Sequence, residues 1–221
     1  MNEVTMKNGY FITLEGADGC GKSTQARLLV KYLESLDYPV VLTREPGGTP
    51  LAEEIRRVIL TPSAEPLAPL AEILLYAASR AQHVSQLIRP ALAEGKIVIS
   101  ERFIDSSLAY QGYALGWDLK LVREINQIAA AGLEPDLTFL LDANTERSIS
   151  RLNNRLDANK TQGDRIESRG FAFQEKVRQG YLKLAHQNSR MIVVDAANKG
   201  IKEIHSELIH FLMKRLPKMK S

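Results

Sequence analysis

Tyr10-Phe-Ile-Thr-Leu-Glu-Gly16-Ala-Asp-Gly-Cys-Gly21-Lys22-Ser23-Thr24 is the stretch that decides the reading of this chain. Its first six residues, mostly apolar, read as a strand buried on both faces. From Gly16 to Ser23 it matches G-x-x-x-x-G-K-[ST] in full, with the strand before it and helical spacing after it. Glycines in such a loop let the backbone curl until successive N–H groups point inward at phosphate oxygens. The helix that follows from Lys22 adds the positive potential of its N-terminus. Lys22 is placed to reach the β- and γ-phosphates of a nucleoside triphosphate, and the Ser23 hydroxyl to ligate Mg2+. Gly16, Ala17, Asp18, Gly19, Cys20, Gly21, Lys22, Ser23 and Thr24 are therefore expected to hold ATP. Cys20 reads as a small side chain filling a tight slot, not as a redox centre.

Outward from this segment, four more apolar runs recur at Val40–Arg44, Lys96–Ser100, Leu137–Asp142 and Met191–Asp195. Helical stretches separate them. One carries an apolar stripe of Leu28, Leu29, Tyr32, Leu33 and Leu36, another a stripe of Leu70, Ile73, Leu74, Ala77 and Ala78. Strand and helix in alternation predict an α/β fold: a five-stranded parallel sheet in a three-layer α/β/α sandwich. With 221 residues, 44% apolar and 25% charged, the chain fits one domain spanning 1–221. The stretch 153–170 breaks the pattern, being polar and Arg-rich. It reads as a mobile lid over about 151–170, or else as a solvated loop.

The remaining bulk features narrow the class. A net charge of +3, evenly spread, gives no footprint for nucleic acid, and the basic run Lys214, Arg215, Lys218, Lys220 reads as a solvated tail. A single cysteine excludes an internal disulfide and a cysteine metal cluster. Met1–Asn8 is polar and lacks the apolar core of a signal peptide, and no apolar run is long enough for a membrane. A cytoplasmic enzyme without membrane or nucleic-acid partners is expected.

The phosphate loop alone says only that a nucleoside triphosphate binds. Two other segments bear on the acceptor. Glu101-Arg102-Phe103 follows a strand, at the sheet edge where open α/β folds bind ligands. Its carboxylate can hold Mg2+ or its waters, and its arginine can clamp a phosphate with two parallel hydrogen bonds. Arg44-Glu-Pro-Gly-Gly-Thr49 brings a second arginine to the same edge. A hydroxyl acceptor needs a base, whereas an anionic acceptor needs cations to overcome repulsion between two phosphates. The arginines favour a nucleotide kinase. Another nucleoside or nucleoside monophosphate kinase, and an ATPase that moves a partner, are the alternatives.

In several separate blocks the chain resembles the bacterial thymidylate kinases, from Phe11 to about Leu208. The blocks are Phe11-Ile-Thr-Leu-Glu-Gly16, Thr43-Arg-Glu-Pro-Gly-Gly-Thr49, Leu74-Leu-Tyr-Ala-Ala-Ser-Arg80, Glu101-Arg-Phe-Ile-Asp-Ser-Ser-Leu-Ala-Tyr-Gln111, Pro135-Asp-Leu137 and Asp164-Arg-Ile-Glu167. The resemblance implies transfer of the ATP γ-phosphoryl group to dTMP by a homodimer. It implies that Arg44 and Arg102 hold the acceptor phosphate, with Glu45 in the same turn and Arg56 lining the pocket. Tyr76 would stack on thymine, though an aromatic on an apolar stripe also suits a core. Arg80 would bond a thymine carbonyl, Ser107 and Gln111 would read the base edge, and Tyr110 would crowd out a 2′-hydroxyl. Asp18 and Glu101 would assist Mg2+. The chain departs from the family pattern in carrying Glu101 where Asp is usual and Tyr76 where Phe is usual.

None of Ala17, Asp18, Gly19 and Cys20 is basic, so the charge developing on the transferring group must be met from elsewhere. The lid offers Arg155, Lys160, Arg165 and Arg169, with Arg151 just before it. The resemblance is to the branch whose lid supplies this arginine. Arg165 is the first choice, and Arg151 or Arg155 the alternatives.

Overall fold

The computed structural model describes residues 9–62, 65–151 and 164–216. Expectations that concern Met1–Asn8, Arg155, Lys160, Lys218 and Lys220 lie outside these residues. Five parallel strands form one sheet: β1 (Tyr10–Glu15), β2 (Val40–Arg44), β3 (Ile97–Glu101), β4 (Leu137–Asp142) and β5 (Met191–Asp195), in the order β2-β3-β1-β4-β5. Four coincide with the apolar runs. The third is shifted by one residue, because pairing with Leu14 on one side and Arg44 on the other carries β3 through Glu101. Glu101 therefore closes a strand, and Arg102 is the first residue beyond it.

The helices are α1 (Lys22–Glu34), α2 (Pro50–Leu60), α3 (Pro69–His83), α4 (Arg89–Ala93), α5 (Ile104–Ser107), α6 (Leu119–Ala129), α7 (described over 145–151), α8 (Gly170–Gln187) and α9 (Ile201–Arg215). Strand alternation sends Tyr10, Ile12 and Leu14 to one face of the sheet, against Leu29 and Leu33 of α1 and Ile204, Leu208 and Leu212 of α9. Phe11 points to the other face, against Val84, Ile88 and Phe103. Helices thus cover both faces, in three layers. Each of these buried Leu, Ile or Phe side chains contributes about 1.5–3 kcal/mol, and truncating Leu29 to alanine would cost about 2–5 kcal/mol.

Two expected stripes are half right. Leu29 and Leu33 of α1 are buried, but Leu36, in the turn just past its end, is exposed. On α3, Ile73 and Ala77 are buried while Leu70 and Leu74 are exposed. The buried face of α3 carries Glu72, Ser79, Arg80 and His83 instead. That face borders a polar pocket, so polar side chains are turned inward and the leucines outward.

Two helical stretches widen into π turns, Val84–Ile88 after α3 and Leu108–Ala114 after α5. Pro90 explains the first, because it has no N–H for the carbonyl four residues back. The second holds Tyr110 and Gln111, and Leu115 N–H bonds to the Tyr110 carbonyl five residues back. Among the described residues, no helix is long and apolar enough to cross a membrane.

Candidate active site

A cavity of about 950 Å3 opens at the carboxyl ends of β1, β2 and β3. Of the residues singled out in the sequence, Asp18, Gly19, Gly21, Lys22, Ser23, Thr24, Arg44, Glu45, Arg56, Tyr76, Arg80, Glu101, Arg102, Ser107, Tyr110, Gln111 and Arg151 line it. Gly16, Ala17, Cys20 and Arg165 do not, although Asp164, Ile166 and Glu167 do.

One half of the cavity is the phosphate loop. Lys22 Nζ donates to the carbonyls of Gly16 at 3.0 Å and Ala17 at 2.8 Å, which stretches the side chain along the inside of the loop. Gly19 has φ 81°, and a Cβ there would collide with the carbonyl oxygen of Ser148, so glycine is required on both counts. Cys20 is buried in the cluster around β1, as a space-filling side chain would be. The Ser23 hydroxyl donates to Glu101 Oε2 at 2.5 Å. A hydroxyl and a carboxylate side by side at the loop mouth are hard oxygen donors of the kind Mg2+ takes, together with waters and substrate phosphates. Asp18 is turned elsewhere. Its Oδ1 accepts from Arg102 at 2.5 Å, and its Oδ2 from Tyr110 at 3.0 Å and Gln174 at 3.2 Å.

The other half is a network of side chains. Arg102 sits at φ 70°, in the left-handed region that favours glycine. One of its terminal nitrogens donates to Asp18 and to the Tyr110 hydroxyl at 3.0 Å. The other donates to Ser106 and Tyr181, both at 3.1 Å. Ser106 and Tyr181 in turn donate to Glu15 Oε2 at 2.7 and 2.8 Å, and the Phe103 N–H donates to Glu15 Oε1 at 2.7 Å. Burial, and then the Asp105 carboxylate nearby, push Glu15 up to about 7. Burial also works against a charged Asp18, but Arg102 and then Lys22 outweigh it and hold that carboxyl below the usual range. Asp105 is itself clamped by Arg190, at 2.8 Å to each oxygen, which pins α5 to the segment before β5.

Arg80 is buried, and its donors are all engaged within the protein. Nε reaches Glu45 at 2.8 Å, one terminal nitrogen reaches Ser107 at 3.1 Å and Asn126, and the other reaches the Phe103 carbonyl at 3.0 Å and Glu45 at 2.7 Å. Glu45 also takes His83 Nδ1 at 3.0 Å. Gly48 packs so closely on His83 and Thr43 that a Cβ would overlap both, which seats the Glu45–Thr49 turn on α3. Arg56 donates to the Pro46 carbonyl at 2.9 Å, and the more exposed Arg44 to both oxygens of Glu53 at 3.1 Å. Gln111 donates to Glu72 at 3.1 Å.

The arginines expected in the lid divide. Arg151 is exposed at the cavity rim. Arg165, the first choice from the sequence, donates to the Ile59 carbonyl and to Glu72, both at 2.8 Å, and Arg169 joins it on Glu72 at 2.6 Å. Glu15, Glu72, Ser106, Gln174 and Tyr181 were missed as site residues. Only Glu15 and Ser106 lie inside a matching block, and nothing in the spacing marks the others.

The comparisons with known proteins agree with one another. A family model described as thymidylate kinase matches residues 14–208. A thymidylate kinase of Exiguobacterium sp. is 49% identical over 209 residues, covering 95% of this chain and 96% of the relative. One from Syntrophotalea carbinolica is 50% identical, covering 88% and 91%. Among solved structures, the thymidylate kinase of Ehrlichia chaffeensis superposes with a TM-score of 0.72 at 36% identity, over 92% of this chain and 98% of that one.

Proposed function

The chain belongs to the thymidylate kinase family, and from that premise we infer that it transfers the γ-phosphoryl group of ATP to dTMP, giving dTDP and ADP. The observation that carries this reading, beside the family, is that a complete phosphate loop and the arginines Arg44, Arg56, Arg80, Arg102 and Arg151 open into one cavity. A phosphate acceptor needs no base. It needs its repulsion with ATP neutralised and the two groups held in line.

The residue roles are part of the proposal. Lys22 leaves the loop carbonyls for the β- and γ-phosphates. Ser23 and Glu101 would hold Mg2+, which when bound neutralises phosphate charge and helps orient the transferring group. Arg102 exchanges Asp18 for the acceptor phosphate, with Arg44 beside it. Tyr76 covers the base, Ser107 and Gln111 read it, Arg80 reads it by giving up one of its present acceptors, and Tyr110 packs on the sugar. Arg151, at the cavity rim, is the cation we assign to the transition state, with Arg165 as anchor of the lid base. The chain acts as one kinase unit with segment 151–170 as its lid, in the cytoplasm. Exposed Val58 on α2, Leu70 and Leu74 on α3 and Ile128 on α6 support a homodimer through these helices.

A coupled assay of ADP release across dTMP, dUMP, CMP, AMP and thymidine tests the reading. Turnover should be fastest with dTMP. Equal ATP turnover without any acceptor would instead support the partner-moving ATPase.

A further inference from the structure

We propose that Glu72 sets the base specificity of the acceptor site by holding the amino end of the Gln111 side chain, so that the Gln111 carbonyl oxygen is the group offered to the base. The inference rests on dTMP being the acceptor.

Glu72 lies on the inner face of α3 and is 1% exposed, and Gln111 on the π turn after α5 is 2% exposed. Gln111 Nε2 donates to Glu72 Oε1 at 3.1 Å. Glu72 Oε2 takes Arg165 at 2.8 Å and Arg169 at 2.6 Å. Every hydrogen bond the structure gives Glu72's side chain is thus donated to it. Burial disfavours the charge, but Arg169 and then Arg165 and Gln111 outweigh it and hold the carboxyl below the usual range. An ionised carboxylate can only accept. It can therefore hold only the amino end of an amide, which fixes an orientation that the amide's near-symmetric shape leaves open.

Gln111 lines the cavity beside Ser107 and Arg80. With its amino end engaged, it presents an acceptor. Thymine and uracil carry a donor at N3, whereas cytosine carries a bare acceptor there. An acceptor at Gln111 pairs with the first two and leaves cytosine with two lone pairs facing each other, a mismatch that buried sites reject strongly. The reversed amide would favour cytosine. Arg165 and Arg169 then have a task besides any contact with phosphate: their charge keeps Glu72 an acceptor.

The test is kcat/KM for dTMP, dUMP and dCMP with wild type, Glu72→Gln, Gln111→Ala and the double variant. A glutamine at 72 can donate as well as accept and frees the Gln111 amide to turn. The dTMP over dCMP ratio should fall at least about tenfold in Glu72→Gln, chiefly through the dTMP KM. The dTMP over dUMP ratio should stay within about twofold, because both bases carry the N3 donor, and the ATP KM should not move. In the Gln111→Ala background, changing Glu72 should alter the dTMP over dCMP ratio no further. An unchanged ratio in Glu72→Gln, or the same fall without Gln111, overturns the proposal. If Glu72→Gln does not fold, the Gln111 side-chain amide is followed by 15N NMR in wild type, assigned by its loss in Gln111→Ala. Its protons should stay protected and shift little with dTMP; release on binding overturns the proposal. A wild-type enzyme that fails to phosphorylate dTMP overturns the proposed function instead, a result distinct from all of these.

Discussion

The two halves of the cavity are built on opposite principles. The half proposed for ATP is backbone: nine consecutive residues, 16–24, run from the end of β1 into the first turn of α1, with Lys22 laid along the carbonyls of Gly16 and Ala17. The acceptor half is side chain. Arg102, Glu45 and Tyr110 come from segments after β3, β2 and α5, Arg80 from α3 itself, and they bond to one another and to Asp18 of the loop. A backbone site tolerates much at its variable positions and little at its glycines and lysine. A side-chain network spreads the effect of one substitution over many neighbours.

That contrast can be broken at its strongest point first. Lys22→Ala should lower kcat by about 10³-fold or more, leaving the dTMP dissociation constant within about twofold and the melting temperature almost unchanged. Loss of dTMP affinity by calorimetry would show that the halves are not separable. Arg102→Ala comes next. Losing a charged, multiply bonded partner should cost about 3 kcal/mol, or more than a hundredfold in kcat/KM for dTMP, with a smaller effect on the ATP KM. Here the melting temperature should fall as well, because Asp18 would lose the guanidinium it holds. A kinetic defect confined to ATP would put Arg102 on the wrong substrate.

The proposed lid sharpens the comparison. Arg151→Ala should lower kcat at least about tenfold at constant dTMP affinity. Arg165→Ala, whose donors go to Ile59 and Glu72, should act mainly on the dTMP KM. The reverse pattern would restore Arg165 as the transition-state cation.

The smallest expected effect lies beneath both halves, at Glu15. Its folded-state value of about 7 stands above the ordinary 4.5, so folding favours the neutral acid. Its contribution to stability is complete below about pH 4.5 and is lost as pH rises through about 7. Thermal unfolding of wild type relative to Glu15→Gln should show the difference moving against wild type across that window. A flat difference would mean that the three donors around Glu15 keep it ionised.

The same contrast explains what could be read without coordinates. The phosphate loop is contiguous, so strand, motif and helix start were visible together. Glu101 was placed one residue beyond its strand, because the ladder bonds to Leu14 and Arg44 are not local. On α3 the apolar stripe suggested Leu70 and Leu74 as core, yet that helix turns its polar face inward to the pocket. Glu72 was invisible for this reason: a glutamate between leucine-rich turns reads as a solvent position. Tyr76 and Arg80 on α3, and Ser107 and Gln111 on α5 and its π turn, came through resemblance, since two separate helical segments have no spacing that reports a shared cavity. Arg165 shows the limit from the other side. A sequence displays a cation but not which anion it will find.

The π turn at Leu108–Ala114 carries a consequence for how such a pocket can change over generations. It accommodates one residue more per turn than the helix around it, and Tyr110 and Gln111 ride on it. Removing one codon just before Tyr110 would let the segment relax to ordinary helix and swing both side chains by about 100° against Arg102 and Arg80. Substitution alters which groups these residues offer, in small chemical steps. A deletion there would re-aim them in a single jump, so the reach of this pocket to new bases is written partly in chain length.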